Sequence, residues 1–192
     1  MIEEEARNER RSTRKHRDIL EAAARLADRE GYAAVSIEGI ASEAGVGKQT
    51  IYRWWPSKAA LYVEVYSELV PRSVLATGSA RGVAGLAVLL TQLFCLYRET
   101  PAGRILCGLL GAASSDESAR HAIQQGLVLG RADIIERTLR DQLTEPAERA
   151  VVNEIVVAVV WKRLISNPES LDSRFAEKLA HIAVRAAKGG AT

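Results

Sequence analysis

The chain has 192 residues, 47% apolar and 26% charged, which suits one or two small domains with a continuous core and excludes a disordered or fibrous chain. Its net charge is only +2, so any surface for a polyanion has to come from local clustering rather than from bulk charge. Two cysteines, Cys95 and Cys107, and three histidines, His16, His121 and His181, exclude a disulfide framework and show no metal-ligand spacing, so no metal is expected.

The opening MIEEEARNERR is charged and lacks the apolar stretch of a secretory signal; with reduced thiols, it points to a cytoplasmic protein. Arg7, Arg10, Arg11, Arg14, Lys15 and Arg17 form a basic stretch, an arm able to reach phosphates or an adjacent minor groove. In ILEAAARLADREGY the apolar residues Ile19, Ala22, Ala23, Leu26 and Ala27 fall on one helix face, and Gly31 suits the helix end. Ser36 is a good N-cap for a short second helix over 37–44, with Val35 and Ile40 able to staple it. Gly45 ends that helix, Val46 plugs the turn, and a third helix spans 48–54. Pro56 and Ser57 break and recap the chain before a fourth helix over 58–70, which is apolar over a wide arc and therefore expected to be buried on more than one side.

Further helices are expected over about 82–98, 102–113, 117–142, 146–166 and 171–187, with Pro101, Pro146 and Pro168 at starts or loops. The longest uncharged run, GVAGLAVLLTQLFCLY, is short for a membrane span and contains Thr91 and Gln92, so it reads as a buried helix. VVNEIVVAVVW is β-branched and favours a strand by propensity. Its apolar positions nevertheless keep helical spacing, and helix is the preferred reading. The fold class is all-α, with about nine helices, and the chain is expected to divide into residues 1–57 and residues 58–192.

GKQTIYRWWPSK carries donors, cations and flat rings on one short helix, a set that suits a DNA groove better than a core. Two helices joined by AGVG match a helix-turn-helix, in which Gly45 permits a backbone conformation that a Cβ opposes and Ala41 lets the helices approach. Arg53 offers the planar fork that reads guanine, while Lys48, Thr50 and Tyr52 suit phosphates and base edges. The run ILEAAARLADREGYAAVSIEGIASEAGVGKQTIYRWWPSKAALYVEVY resembles the DNA-binding region of the tetracycline-repressor (TetR) family of bacterial regulators. The likeness covers about residues 14–66; the rest is similar only in length and helical character.

The resemblance implies a DNA-binding set of Arg14, Ser36, Lys48, Gln49, Thr50, Tyr52, Arg53, Trp54 and Lys58. Ser36 and Lys58 would meet phosphates, the latter with the positive end of the fourth helix. Trp55 would sit in the core of the reading head. Two residues depart from the family pattern: Gly47 stands where a serine cap is frequent, and Gln49 where glycine is frequent. Gln49 adds a possible adenine-reading amide or crowds the backbone approach. Trp54 either covers a thymine methyl or sugar, or folds back onto the head.

The resemblance further implies that residues 58–192 form an effector-binding and dimerisation domain, with a homodimer held by the last two helices and Val152, Ile155, Val156, Val159, Phe175, Leu179 and Ile182 at the interface; the other reading is that these stripes serve only the monomer core. An effector pocket would be lined by Tyr62, Tyr66, Phe94, Tyr97, Leu106, Leu110, Leu127 and Trp161; ordinary core packing is the other reading of each. The expected partners are a palindromic double-stranded operator and a mostly apolar small molecule, with no cofactor and no membrane. The expected outcome is repression relieved by the effector; a ligand-dependent activator and a protein-interaction module with a vestigial head are the alternatives. No nucleophile motif or glycine-rich phosphate loop suggests an enzyme. Both cysteines lie in apolar helical stretches and read as inert core thiols rather than redox sensors.

Overall fold

The computed structural model describes residues 2–71, 75, 80–129 and 132–189, with side chains from Ser12 onward except those of 132 and 189. Among the described residues the chain is helical, without a strand. In chain order the helices are α1 (Ile2–Glu30), α2 (Ile37–Glu43), α3 (Lys48–Trp54), α4 (Lys58–Leu69), α5 (Gly82–Glu99), α6 (Ala102–Ala112) and α7 (Glu117–Ile123), then α8 (Ala132–Leu139), α9 (Pro146–Ser166) and α10 (Ser173–Gly189).

Three differences from the sequence expectation have local causes. The basic arm is not extended: its backbone is helical from Ile2 and continues into α1. Residues 2–18 hold no Gly or Pro, and Glu3, Glu4 and Glu5 oppose the positive end of the helix dipole. The side chains of Arg7, Arg10 and Arg11 lie outside the described residues. The helix expected over 117–142 is interrupted by a π-helical turn, Gln124–Val128, before α8. Gly126 weakens the helix in that stretch. Finally, α10 starts at Ser173 because Asp172 Oδ1 accepts a 2.7 Å bond from the Phe175 N–H and caps it.

The chain divides into two compact units, residues 1–68 with 104–123 and residues 69–103 with 124–192. In the first, the α1 face Ile19, Ala22, Ala23, Leu26 and Ala27 is buried as its spacing predicts. Each fully buried large aliphatic side chain contributes roughly 1.5–3 kcal/mol relative to exposure. Tyr62 of α4 is 0% exposed, and its hydroxyl donates to Ala23 O at 3.1 Å. Burial drives that phenol far above its ordinary range and pushes Tyr32, whose ring lies 5.1 Å away, up to about 12. Gly108 of α6 is needed there, because a Cβ would come within 2.8 Å of Tyr32 Cγ.

The second unit is built from α5, α8, α9 and α10. Leu86, Leu90 and Phe94 of α5 are buried, and the small residues Ala176, Ala180, Ala183 and Ala187 of α10 let the two helices pack closely. By length and composition α5 could cross a membrane; here part of it forms core. The β-branched run is helical, with Val152, Val156, Val160 and Leu164 on one buried line of α9. Arg149, buried among them, donates to Leu143 O at 2.7 Å and Thr144 O at 2.6 Å, and so secures the α8–α9 connection.

Candidate nucleic-acid interface

The reading head is assembled by backbone capping and one turn. Ser36 Oγ accepts a 3.0 Å bond from the Gly39 N–H and starts α2, whose Ile37, Ile40 and Ala41 are buried. The turn to α3 needs Gly45, which has φ +64°. Val46 N–H then donates back to Ala41 O at 2.9 Å. Gly47 caps α3 through its extended backbone, with no side-chain hydrogen bond. The expected Ser57 cap is present, its Oγ accepting from the Ala60 N–H at 3.1 Å.

Helix α3 is held from below and bare above. Ile51 is its buried residue, and Trp55, which follows it, is 3% exposed. Lys48, Gln49, Tyr52 and Arg53 are exposed, Tyr52 by 52%, and Thr50 is half-buried. A purely structural helix gains little from half-exposing a tyrosine beside an arginine. A surface that accepts hydrogen bonds and flat rings gains from both.

Most of the cations have resting partners. Lys48 Nζ lies 2.8 Å from Glu38 Oε1; this hydrogen bond raises the lysine pKa and lowers that of the glutamate. Both groups are well exposed, so the pair is weak and a phosphate can displace Glu38. Arg53 Cζ stands 5.2 Å from the centre of the Trp54 ring. Lys58 is turned inward, unlike its expected phosphate role: its ammonium donates to Tyr32 O and Val35 O, both at 2.9 Å, and lies 4.3 Å over the Tyr32 ring. Burial draws its pKa below the usual lysine value, and Asp116 opposes that shift. Ser36 and Arg14 are exposed.

Trp54 is half-buried, with its ring edge-on to Trp55 at 5.6 Å and to His16 at 5.2 Å, so it is at least partly folded back onto the head. Trp55 takes the core position expected of it. Sequence reading missed its partner, Glu64, whose Oε2 accepts from the indole N–H at 2.6 Å. The signal was a lone acid in the apolar run LYVEVY, but the identity of its partner is not written there.

Residues 19–65 match the family model for bacterial regulatory proteins, tetR family. YdeS of Bacillus subtilis (strain 168), an uncharacterized HTH-type transcriptional regulator, is 26% identical over 171 residues, 85% of either chain. The crystal structure of the TetR family transcription regulator SCO0332 has a TM-score of 0.73 at 28% identity, covering 89% of this chain and 97% of that one. Residues 19–65 thus carry the DNA-binding region of the tetR family of bacterial regulatory proteins. A likeness of fold alone extends to FadR from Bacillus subtilis in complex with stearoyl-CoA, at TM-score 0.64 and 18% identity over 87% of this chain and 96% of that one.

The residues expected around an effector are spread through both units. Tyr62, Tyr66 and Leu106 are buried in the first unit, where Leu110 is half-buried. Phe94 and Leu127 are buried in the second, where Tyr97 and Trp161 are half-buried. On α5 the Gln92 Oε1 atom is buried with no hydrogen-bond partner among the described residues.

The expected interface stripe also splits. Val152, Val156 and Leu179 point into the core of their own unit, which differs from a place at an interface. Phe175 is stacked on Phe94 at 6.2 Å, under the Arg163 guanidinium at 3.7 Å. Ile155 and Val159 are half-buried, and Ile182 is 49% exposed. Ile182 also borders an open hollow of about 340 Å³ lined by Val83, Gln142, His181, Val184, Arg185 and Lys188. Both thiols are held protonated: Cys95 donates to Glu99 Oε1 at 2.9 Å, which raises its pKa, and burial raises that of Cys107.

Proposed function

We propose that this TetR-family regulator acts in the cytoplasm as a homodimeric repressor, binding a palindromic operator and released by a small, mostly apolar effector. The observation that carries the reading is the exposed face of α3, with Lys48, Gln49, Tyr52 and Arg53 outward on a helix whose buried residue is Ile51. One such head binds weakly; two on a symmetric dimer reach successive half-sites. By function the chain then divides at 57/58, with the DNA reader before it and the effector and dimer region after it.

In this reading Arg53 and Gln49 address base edges. Lys48, Thr50, Tyr52, Ser36 and Arg14 address the backbone, Trp54 lies at the margin of the contact, and Lys58 supports the head. The second copy meets the outward residues of α9 and α10. The same fold in FadR from Bacillus subtilis accommodates stearoyl-CoA, which supports an apolar effector class. Gln92 Oε1 offers such a ligand an acceptor, since an unpaired buried oxygen gains from any donor brought to it. By linkage, the effector must bind the DNA-free state more tightly than the DNA-bound state.

Selection from a random duplex library with the purified protein tests this. The expected result is an enriched palindrome, bound about 1–3 kcal/mol more weakly by Arg53→Ala and progressively released as salt rises. Failure to enrich any sequence would remove the operator from the reading.

A further inference from the structure

Glu64, in the middle of α4, holds two partners at once. Its Oε2 accepts the 2.6 Å hydrogen bond from Trp55 Nε1, and its Oε1 lies 3.1 Å from His16 Nε2. Trp55 is the residue on which α3 ends: its backbone N–H donates to Ile51 O at 3.0 Å and its ring is buried. His16 lies on α1 among the basic residues Arg14, Lys15 and Arg17, with its ring centre 4.7 Å from that of Trp55 and 5.2 Å from that of Trp54. One carboxylate therefore ties together the basic part of α1, the exit of the recognition helix and α4.

This arrangement matters because α3 has so little else to fix it. A helix of seven residues with Ile51 as its buried side chain can roll about its own axis unless its end is held. Trp55 is that hold, and an indole can turn about its own bonds while remaining buried. A bond from its N–H to a charged acceptor removes that freedom, and such bonds are the short, strong kind. The His16 and Glu64 side chains are 33% and 39% exposed, so the cluster is partly shielded and better defined than a surface ion pair.

We propose that Glu64 is a positioning residue for DNA recognition: through Trp55 it sets the angle at which α3 presents Gln49, Tyr52 and Arg53, and through His16 it sets where the basic part of α1 stands beside them. The proposal rests on the reading of the chain as an operator-binding regulator. Neither Glu64 nor Trp55 is among the groove-facing residues, so their effect on affinity passes through α3.

The test uses the full-length protein and the operator recovered by selection. Affinity is measured by fluorescence anisotropy and thermal midpoint by circular dichroism. Glu64→Ala and Trp55→Phe are each expected to weaken operator binding by about tenfold, a change of about 1.4 kcal/mol. The double variant should bind no worse than either single one, because both remove the same bond. Glu64→Gln keeps an oxygen for the indole N–H, and its binding should return to within about threefold of the wild type. Glu64→Ala binding like the wild type overturns the proposal. So does a loss that follows the fall in thermal midpoint and is not rescued by glutamine, since that is what a merely structural role predicts. A wild-type protein that selects no operator overturns this proposal together with the function above. A wild type that binds while the Glu64 variants are indistinguishable from it overturns this one alone.

Discussion

Lys58 looks like a phosphate contact in the sequence, but its ammonium closes the end of another segment. It donates to Tyr32 O and Val35 O, and it lies over the Tyr32 ring. Lys58→Ala should therefore lower folding stability by about 1.5–3 kcal/mol in chemical denaturation, the range for hydrogen bonds to a charged group. A role confined to DNA would leave the denaturation curve where it is and reduce only operator affinity. The residue could not be placed from sequence because its acceptors are 26 and 23 positions away and are backbone atoms, which have no letter of their own. The same holds for Glu64, 9 positions from Trp55 and much further from His16. Ser36, Gly45 and Ser57 were legible, because a cap or a left-handed turn is decided by the next few residues.

At the scale of the helix, periodicity carried most of the information. The α1 face and the buried line of α9 follow from 3.6-residue spacing, and for Val152, Val156 and Val160 that spacing outweighed a β-branched composition. Where helical propensity is even, as in residues 2–18, no pattern marks the start, and the helix runs further than its apolar face suggests. Where a glycine intervenes, as at Gly126, an apparently continuous helix turns π-helical. The two caps of the reading head give a paired prediction. Ser36→Ala should cost about 1 kcal/mol by removing the acceptor for the Gly39 N–H. Gly47→Ser should add about a few tenths of a kcal/mol, since glycine falls short of serine at an N-cap by that amount. The Gly47 backbone already suits serine, and a Cβ there meets nothing within 4 Å. Urea midpoints of the two variants, moving in opposite directions, are the check.

For the molecule as a whole, the family likeness of residues 19–65 was legible because the head is dense in specific residues, whereas the helical remainder is filled by interchangeable aliphatics. Val152 and Leu179 have the composition of an interface stripe and lie in the core of their own unit; a hydrophobic face does not state what covers it. On the last two helices Val151, Ile165 at 63% exposure and Ile182 remain exposed, and the proposed second copy would meet this surface. Light scattering of the wild type at micromolar concentration is expected to give a dimer mass. Ile182→Asp should shift it toward the monomer and weaken binding to a full palindrome more than to a single half-site. A wild type that is monomeric under those conditions would count against paired heads.

The first compact unit takes residues 1–68 and then 104–123, and the second takes the stretch in between and the rest. Gly108 makes room for Tyr32, and Arg104 pairs with Asp28, so the α1 end of the reading head is finished by residues that come later in the chain. A ribosome delivers the chain in order. The first three helices emerge complete in sequence but with one flank uncovered, and they wait in that state while thirty-odd residues belonging to the other unit follow. A nascent chain that stops before α6 holds all of α3 while Tyr32 lacks the Gly108 face it packs on and Asp28 lacks Arg104, so this unit is finished with the middle of the message rather than with its beginning.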